Sequence, residues 1–199
     1  MKESFDILIV GVGGQGNILF SKILGEAFLN EGYDVKVSEV HGMAQRGGSV
    51  VTFVRAGEKV YSPLVDKAQA DYIIAFEKLE ALRWLEYLKK DGIVIYSDYE
   101  IPPMSVISGK SRYPDVDSIL KDIGVRHYKI EISSLLMELK NPRVQNTIML
   151  GFFSKLTGIE KQVWERAIEN NIRAKLLDIN LRAFEMGRDI ELKEEELKV

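Results

Sequence analysis

A glycine-rich break between a strand and a helix constrains this chain more than any other feature. Residues Phe5 to Val10 are short, apolar apart from Asp6 and rich in β-branched side chains, the pattern of a strand covered on both faces. Gly11-Val12-Gly13-Gly14-Gln15-Gly16 ends that run. Ile18, Leu19, Ile23, Ala27 and Phe28 then recur at helical spacing until Asn30-Glu31-Gly32 stops them. A buried strand that turns sharply into an amphipathic helix needs partner strands and a helix layer on each side, which points to a layered α/β fold. The glycines allow a tight turn and close approach of a ligand, and the N–H groups that open the helix favour an anion.

The rest of the chain extends this plan. Val35 to Val40 reads as a second strand, parallel to the first. Ser49 to Arg55 is a third, and Ala56-Gly57-Glu58-Lys59 reads as a hairpin turn into Val60-Tyr61, giving an antiparallel ribbon. Asp71 to Phe76 is another buried strand, and Leu79, Leu82, Leu85 and Leu88 suggest a helix after it. Asp91-Gly92 turns into a strand over Ile93 to Tyr96. Tyr99 to Pro114, with Pro102 and Pro103, reads as irregular and exposed. Val125 to Ile132 is the last strand. Beyond it Ile148, Phe152 and Leu156 mark one helix face, and Ile172, Leu176, Ile179, Ala183 and Met186 another. The expected architecture is three-layer α/β, with a mostly parallel, Rossmann-like sheet interrupted by an antiparallel ribbon, and a helical carboxyl-terminal part. Residues 1–187 make a single domain in this reading, and 188–199 a charged tail.

Composition narrows the chemistry. The chain has 199 residues and a net charge of −3, with no basic stripe, so nucleic acid is not an expected partner. There is no cysteine, which excludes disulfides and thiolate ligation of zinc or an iron–sulfur cluster. His41 and His127 are the only histidines and stand far apart, so no metal is expected. No apolar run approaches a signal h-region or a membrane span, and the expected location is the cytoplasm.

Two loops carry the candidate site. Gly11, Gly13 and Gly16 match the dinucleotide fingerprint, and Glu39 follows roughly 20 residues on, where an acidic residue holds a ribose. The same glycines also serve plain strand–helix packing. Gly14 and Gln15 add a flexible pair and a long amide able to meet a ligand or a facing chain. The second loop is His41-Gly42-Met43-Ala44-Gln45-Arg46-Gly47-Gly48-Ser49, at the same carboxyl edge of the sheet, where open α/β sheets bind ligands. His41 can titrate or hydrogen-bond, Gln45 offers an amide, and Arg46 is a fixed cation suited to phosphate or carboxylate. Gly47 and Gly48 allow a crowded backbone. A hairpin entry with a capping His and a surface Arg is the plainer alternative.

Together the two loops resemble the gamma-type subunit of 2-oxoacid:ferredoxin oxidoreductases, and most of all the small (beta) subunit of the indolepyruvate enzymes. Leu79-Glu80-Ala81-Leu82-Arg83, Asn146-Thr147-Ile148-Met149-Leu150-Gly151 and Ala183-Phe184-Glu185-Met186-Gly187 carry the likeness along the chain. Asn17 departs from it, where relatives often have an apolar residue. The resemblance implies a subunit that is not active alone and binds no cofactor by itself. The holoenzyme it implies decarboxylates a 2-oxoacid, passes the acyl group to coenzyme A and reduces ferredoxin. A large (alpha) subunit then carries thiamine diphosphate, Mg2+ and the iron–sulfur clusters, and the small chain borders the active-site cleft. The resemblance is also compatible with a homodimer of the isolated chain. The competing reading is a freestanding NAD- or FAD-binding oxidoreductase that uses the glycine loop.

Overall fold

A computed structural model describes residues 4–41 and 47–192. Its centre is a six-stranded sheet of β1 (Phe5–Val12), β2 (Asp34–His41), β3 (Ser49–Gly57), β4 (Ala70–Ala75), β5 (Leu88–Ser97) and β6 (Arg126–Ile130). The strand order is β2-β3-β1-β4-β5-β6. β1, β4, β5 and β6 are parallel, and β3 runs antiparallel to both of its neighbours. The helices among the described residues are α1 (Asn17–Asn30), α2 (Lys78–Arg83), α3 (Met104–Ile107), α4 (Val116–Asp122), α5 (Ile132–Leu139), α6 (Gln145–Ser154), α7 (Lys161–Asn171) and α8 (Ala174–Asp189).

The period-2 alternation of the strands separates two cores. Phe5, Ile7 and Ile9 of β1, with Ile93 and Ile95 of β5, face α1 and α5 to α8. Leu8 and Val10, with Val94 and Tyr96, face Ala81 of α2 and Val116 and Leu120 of α4. The expected three layers are therefore present. α1 leaves β1 on one face and α2 leaves β4 on the other, so β1 and β4 flank a topological switch point, where a crevice opens beyond the strand ends.

Several local expectations need correction. β1 and β2 do run in the same direction, but β3 lies between them. Val60-Tyr61 forms no strand, because β1 and β2 already occupy both edges of β3: Ala56 pairs with Phe5 on one side and Val35 on the other. The leucine helix ends at Arg83, followed by a 3-10 turn over Leu85–Tyr87. A repeat of three fits that tighter winding better than the 3.6 of an α-helix. Asp91-Gly92 lies inside β5, at a register shift against β4. A Cβ on Gly92 would sit 2.9 Å from the Ala70 carbonyl oxygen, so the irregularity requires glycine.

The carboxyl-terminal helices also differ in detail. Every residue of α6 is buried, so it has no exposed face, and Leu156 lies beyond its end. α8 buries Asn180, Ala183, Phe184 and Gly187 and leaves Leu176 exposed. The contact between the two helices sets this rotation. A Cβ on Gly151 would lie 2.0 Å from the Phe184 carbonyl oxygen, and one on Gly187 2.0 Å from that of Ile148. Two backbones so close leave no room for a larger side chain. α8 continues through Arg188 and Asp189, where the charged tail was expected to begin.

Candidate functional site

The two loops meet at one edge of the sheet. Val12 at the end of β1 pairs with Ser49 at the start of β3, and His41 at the end of β2 pairs with Val50. The Gly13 N–H donates to the Gly48 carbonyl oxygen at 2.9 Å, which joins the loops directly. Gly42, Met43, Ala44, Gln45 and Arg46 lie outside the described residues.

The glycine loop is held from within. Gln15 turns its amide inward: Oε1 accepts from the Val12 N–H at 2.7 Å, and Nε2 donates to the Phe76 carbonyl oxygen at 2.9 Å. That carbonyl, one residue past β4, also accepts from the Ser97 hydroxyl at 2.7 Å and from the Gln145 amide of α6. One oxygen at the switch point thus gathers donors from the loop, from β5 and from α6. Gly11 lies against Gln15, where a Cβ would stand 2.8 Å from Oε1. Gly16 caps α1 at φ 94°, a left-handed conformation that favours glycine, and a Cβ there would reach 2.6 Å from Asn146 Nδ2. The Asn146 amide donates to the Gly16 carbonyl oxygen at 3.3 Å. Asn17 is buried and its amide donates to the Ile9 carbonyl oxygen at 3.3 Å, which gives this departure from the family pattern a local partner.

Gly13, Gly14 and Gly16 line a cavity of about 380 Å3 together with Asn17, Ile18 and Glu39. The nucleotide fingerprint expects the acidic residue on the strand next to β1. Here β3 intervenes, so Glu39 stands two strand spacings from β1, about 10 Å in place of about 5 Å.

On the other face of the edge, Ser49 anchors the stem of the second loop. Its hydroxyl donates to Glu80 Oε2 at 2.5 Å. Trp84 Nε1 donates to the same oxygen at 3.2 Å, and Arg83 Nε stands 3.5 Å from Oε1. Burial pushes the Glu80 carboxyl above its ordinary value, against the bonds from Ser49 and Trp84 and the charge of Arg83, which lower it. Glu77 is buried beside it. Its Oε2 caps α2 through the Glu80 N–H at 3.0 Å, while Oε1 accepts from the Ile101 N–H at 3.0 Å and the Tyr113 hydroxyl at 2.5 Å. Burial and the Glu77 carboxylate hold the Tyr113 phenol far above its usual range, so it stays a donor. Gly47, Ser49, Glu77, Glu80, Arg83 and Met104 border a second cavity of about 360 Å3.

The family model for Pyruvate ferredoxin/flavodoxin oxidoreductase matches residues 6–190. The chain belongs to that family. It is 42% identical over 194 residues to the indolepyruvate oxidoreductase subunit IorB of Thermococcus kodakarensis, covering 94% of this chain and 95% of that one. The pyruvate oxidoreductase subunit PORC of Thermotoga maritima is 25% identical with a TM-score of 0.71, covering 98% of this chain and 100% of that one. A 2-oxoglutarate:ferredoxin oxidoreductase from Magnetococcus marinus, solved with 2-oxoglutarate, coenzyme A and succinyl-CoA, matches with a TM-score of 0.74 at 23% identity. The match covers 94% of this chain but 31% of that longer one, so there the same fold is one part of a larger chain.

The family's segments Leu79-Glu80 and Asn146-Thr147 supply side chains that pattern reasoning assigned no role. Glu80 reaches Ser49 across 31 positions and Asn146 reaches Gly16 across 130, and no local spacing marks either contact. Among the described residues there is no group of three or more His, Cys, Asp or Glu placed to hold a metal. Among them, too, no helix is long and apolar enough to cross a membrane.

Proposed function

We propose that the chain is the small, cluster-free subunit of a thiamine-diphosphate-dependent 2-oxoacid:ferredoxin oxidoreductase acting on indolepyruvate or another arylpyruvate. The observation that carries this reading is the end-to-end similarity to an IorB subunit, 42% identical over 94% of this chain. In the proposed complex a large subunit supplies thiamine diphosphate, Mg2+ and the clusters, coenzyme A takes the acyl group, and ferredoxin takes the electrons in the cytoplasm. The chemistry at the ylid belongs to that cofactor. This chain contributes the sheet edge with its two loops, set beside the cleft.

The residues divide the work by their chemistry. Among the described residues that line the glycine cavity, Asn17, Ile18 and Glu39 included, there is no Lys or Arg. A phosphate or carboxylate contact is therefore assigned to Arg46, whose planar cation suits a bidentate partner. The insertion of β3 between β1 and Glu39 disfavours the NAD alternative. Co-expression with the large subunit tests the proposal. The expected result is co-purification and indolepyruvate-dependent, coenzyme A-dependent dye reduction that needs both chains, and that falls at least tenfold in Arg46→Ala. A chain that purifies alone and binds NAD at submillimolar concentration by calorimetry overturns it.

A further inference from the structure

The stem of the second loop is held at Gly48 and Ser49. Gly47 has φ 80°, and a Cβ there would meet nothing within 4 Å. Ser49 is where the chain is held, by a hydroxyl bonded to Glu80 Oε2 at 2.5 Å. The residue before it, Gly48, presents its carbonyl to the Gly13 N–H at 2.9 Å. A continuous path therefore runs from α2 through Ser49 and Gly48 into the glycine loop. The groups on Glu80 are all donors: the Ser49 hydroxyl, the Trp84 N–H and the Arg83 guanidinium. They suit a carboxylate acceptor.

We propose that Glu80 is a positioning residue that fixes the junction of the two loops, a role that rests on the subunit reading above. Simple packing does not account for it. A buried carboxylate is costly, and its donors here do not fully offset that cost, since burial still dominates its proton affinity. An apolar residue would fill the same place more cheaply, but it would leave Ser49 unanchored.

Three variants test the role: Glu80→Leu, Ser49→Ala and Glu80→Gln, which keeps an acceptor. In the isolated chain, amide hydrogen exchange at Gly13 is expected to quicken at least tenfold in Glu80→Leu and Ser49→Ala and to stay within threefold in Glu80→Gln. In the complex with the large subunit, kcat/KM for the 2-oxoacid is expected to fall about tenfold in the first two and to recover to within threefold in the third. Ser49→Ala carries the test if Glu80→Leu does not fold. Unchanged Gly13 exchange, or unchanged kcat/KM in an assembled complex, overturns the proposal. If the wild-type chain forms no active complex, the subunit reading fails instead, and Gly13 exchange still decides the role of Glu80.

Discussion

The two halves of the loop edge are held by different chemistry. The glycine loop rests on neutral groups: the amides of Gln15, Asn17, Gln145 and Asn146, the Ser97 hydroxyl and backbone carbonyls. The stem of the second loop rests on two buried carboxylates, Glu77 and Glu80, with Tyr113, Trp84 and Ser49 as donors. A neutral network does not titrate near neutral pH and tolerates burial once its bonds are made. A carboxylate gives stronger, directional bonds but brings a desolvation cost that varies with pH. The glycine loop is thus a rigid wall, and the stem an anchored but costly support.

The largest expected effect breaks the wall. Gly16→Ala combines a left-handed backbone with a Cβ driven into Asn146 Nδ2, and is expected to destabilise by about 3 kcal/mol in chemical denaturation. Gln15→Leu strips the Val12 N–H of its acceptor and should cost about 2 kcal/mol, equally at pH 6 and pH 8. Gly47→Ala sharpens the contrast. Its φ is also positive, but its Cβ meets open space, so about 1 kcal/mol is expected.

The smallest effect is on Glu80, and its sign changes the reading. Because the folded carboxyl is raised above 4.5, its contribution to stability is fully present below that pH. That contribution is lost as pH rises through the folded value. The melting midpoint of Glu80→Gln relative to wild type is therefore expected to climb with pH, and to equal or exceed wild type at pH 7. A midpoint several degrees lower at pH 7 would place Glu80 in the same structural class as Gln15.

What the sequence made legible is local. The buried strands, the glycine turn and the first helix announce themselves within a few residues. The place of β3 does not, because it depends on two non-local pairings: the pattern points to a ribbon with Val60-Tyr61, and β3 pairs with β2 instead. The same holds for α8, whose apolar period suggested a face through Leu176, while Gly151 and Gly187 set the contact by backbone approach. In the candidate site, the glycines were visible by type and spacing. The inward turn of Gln15 was not, since it is decided by Phe76, 61 positions away. Glu80 lies 31 positions from Ser49, and only the family resemblance marked its segment.

The proposed function sets this edge, and not the opposite one, against the large subunit. Hydrogen exchange read by mass spectrometry on the free chain and on the complex tests it directly. The account predicts new protection in peptides spanning residues 11–16, 41–50 and 77–83, with no change at 57–64 beyond the far end of β3. Protection confined to 57–64, with the loop edge unchanged, would contradict it.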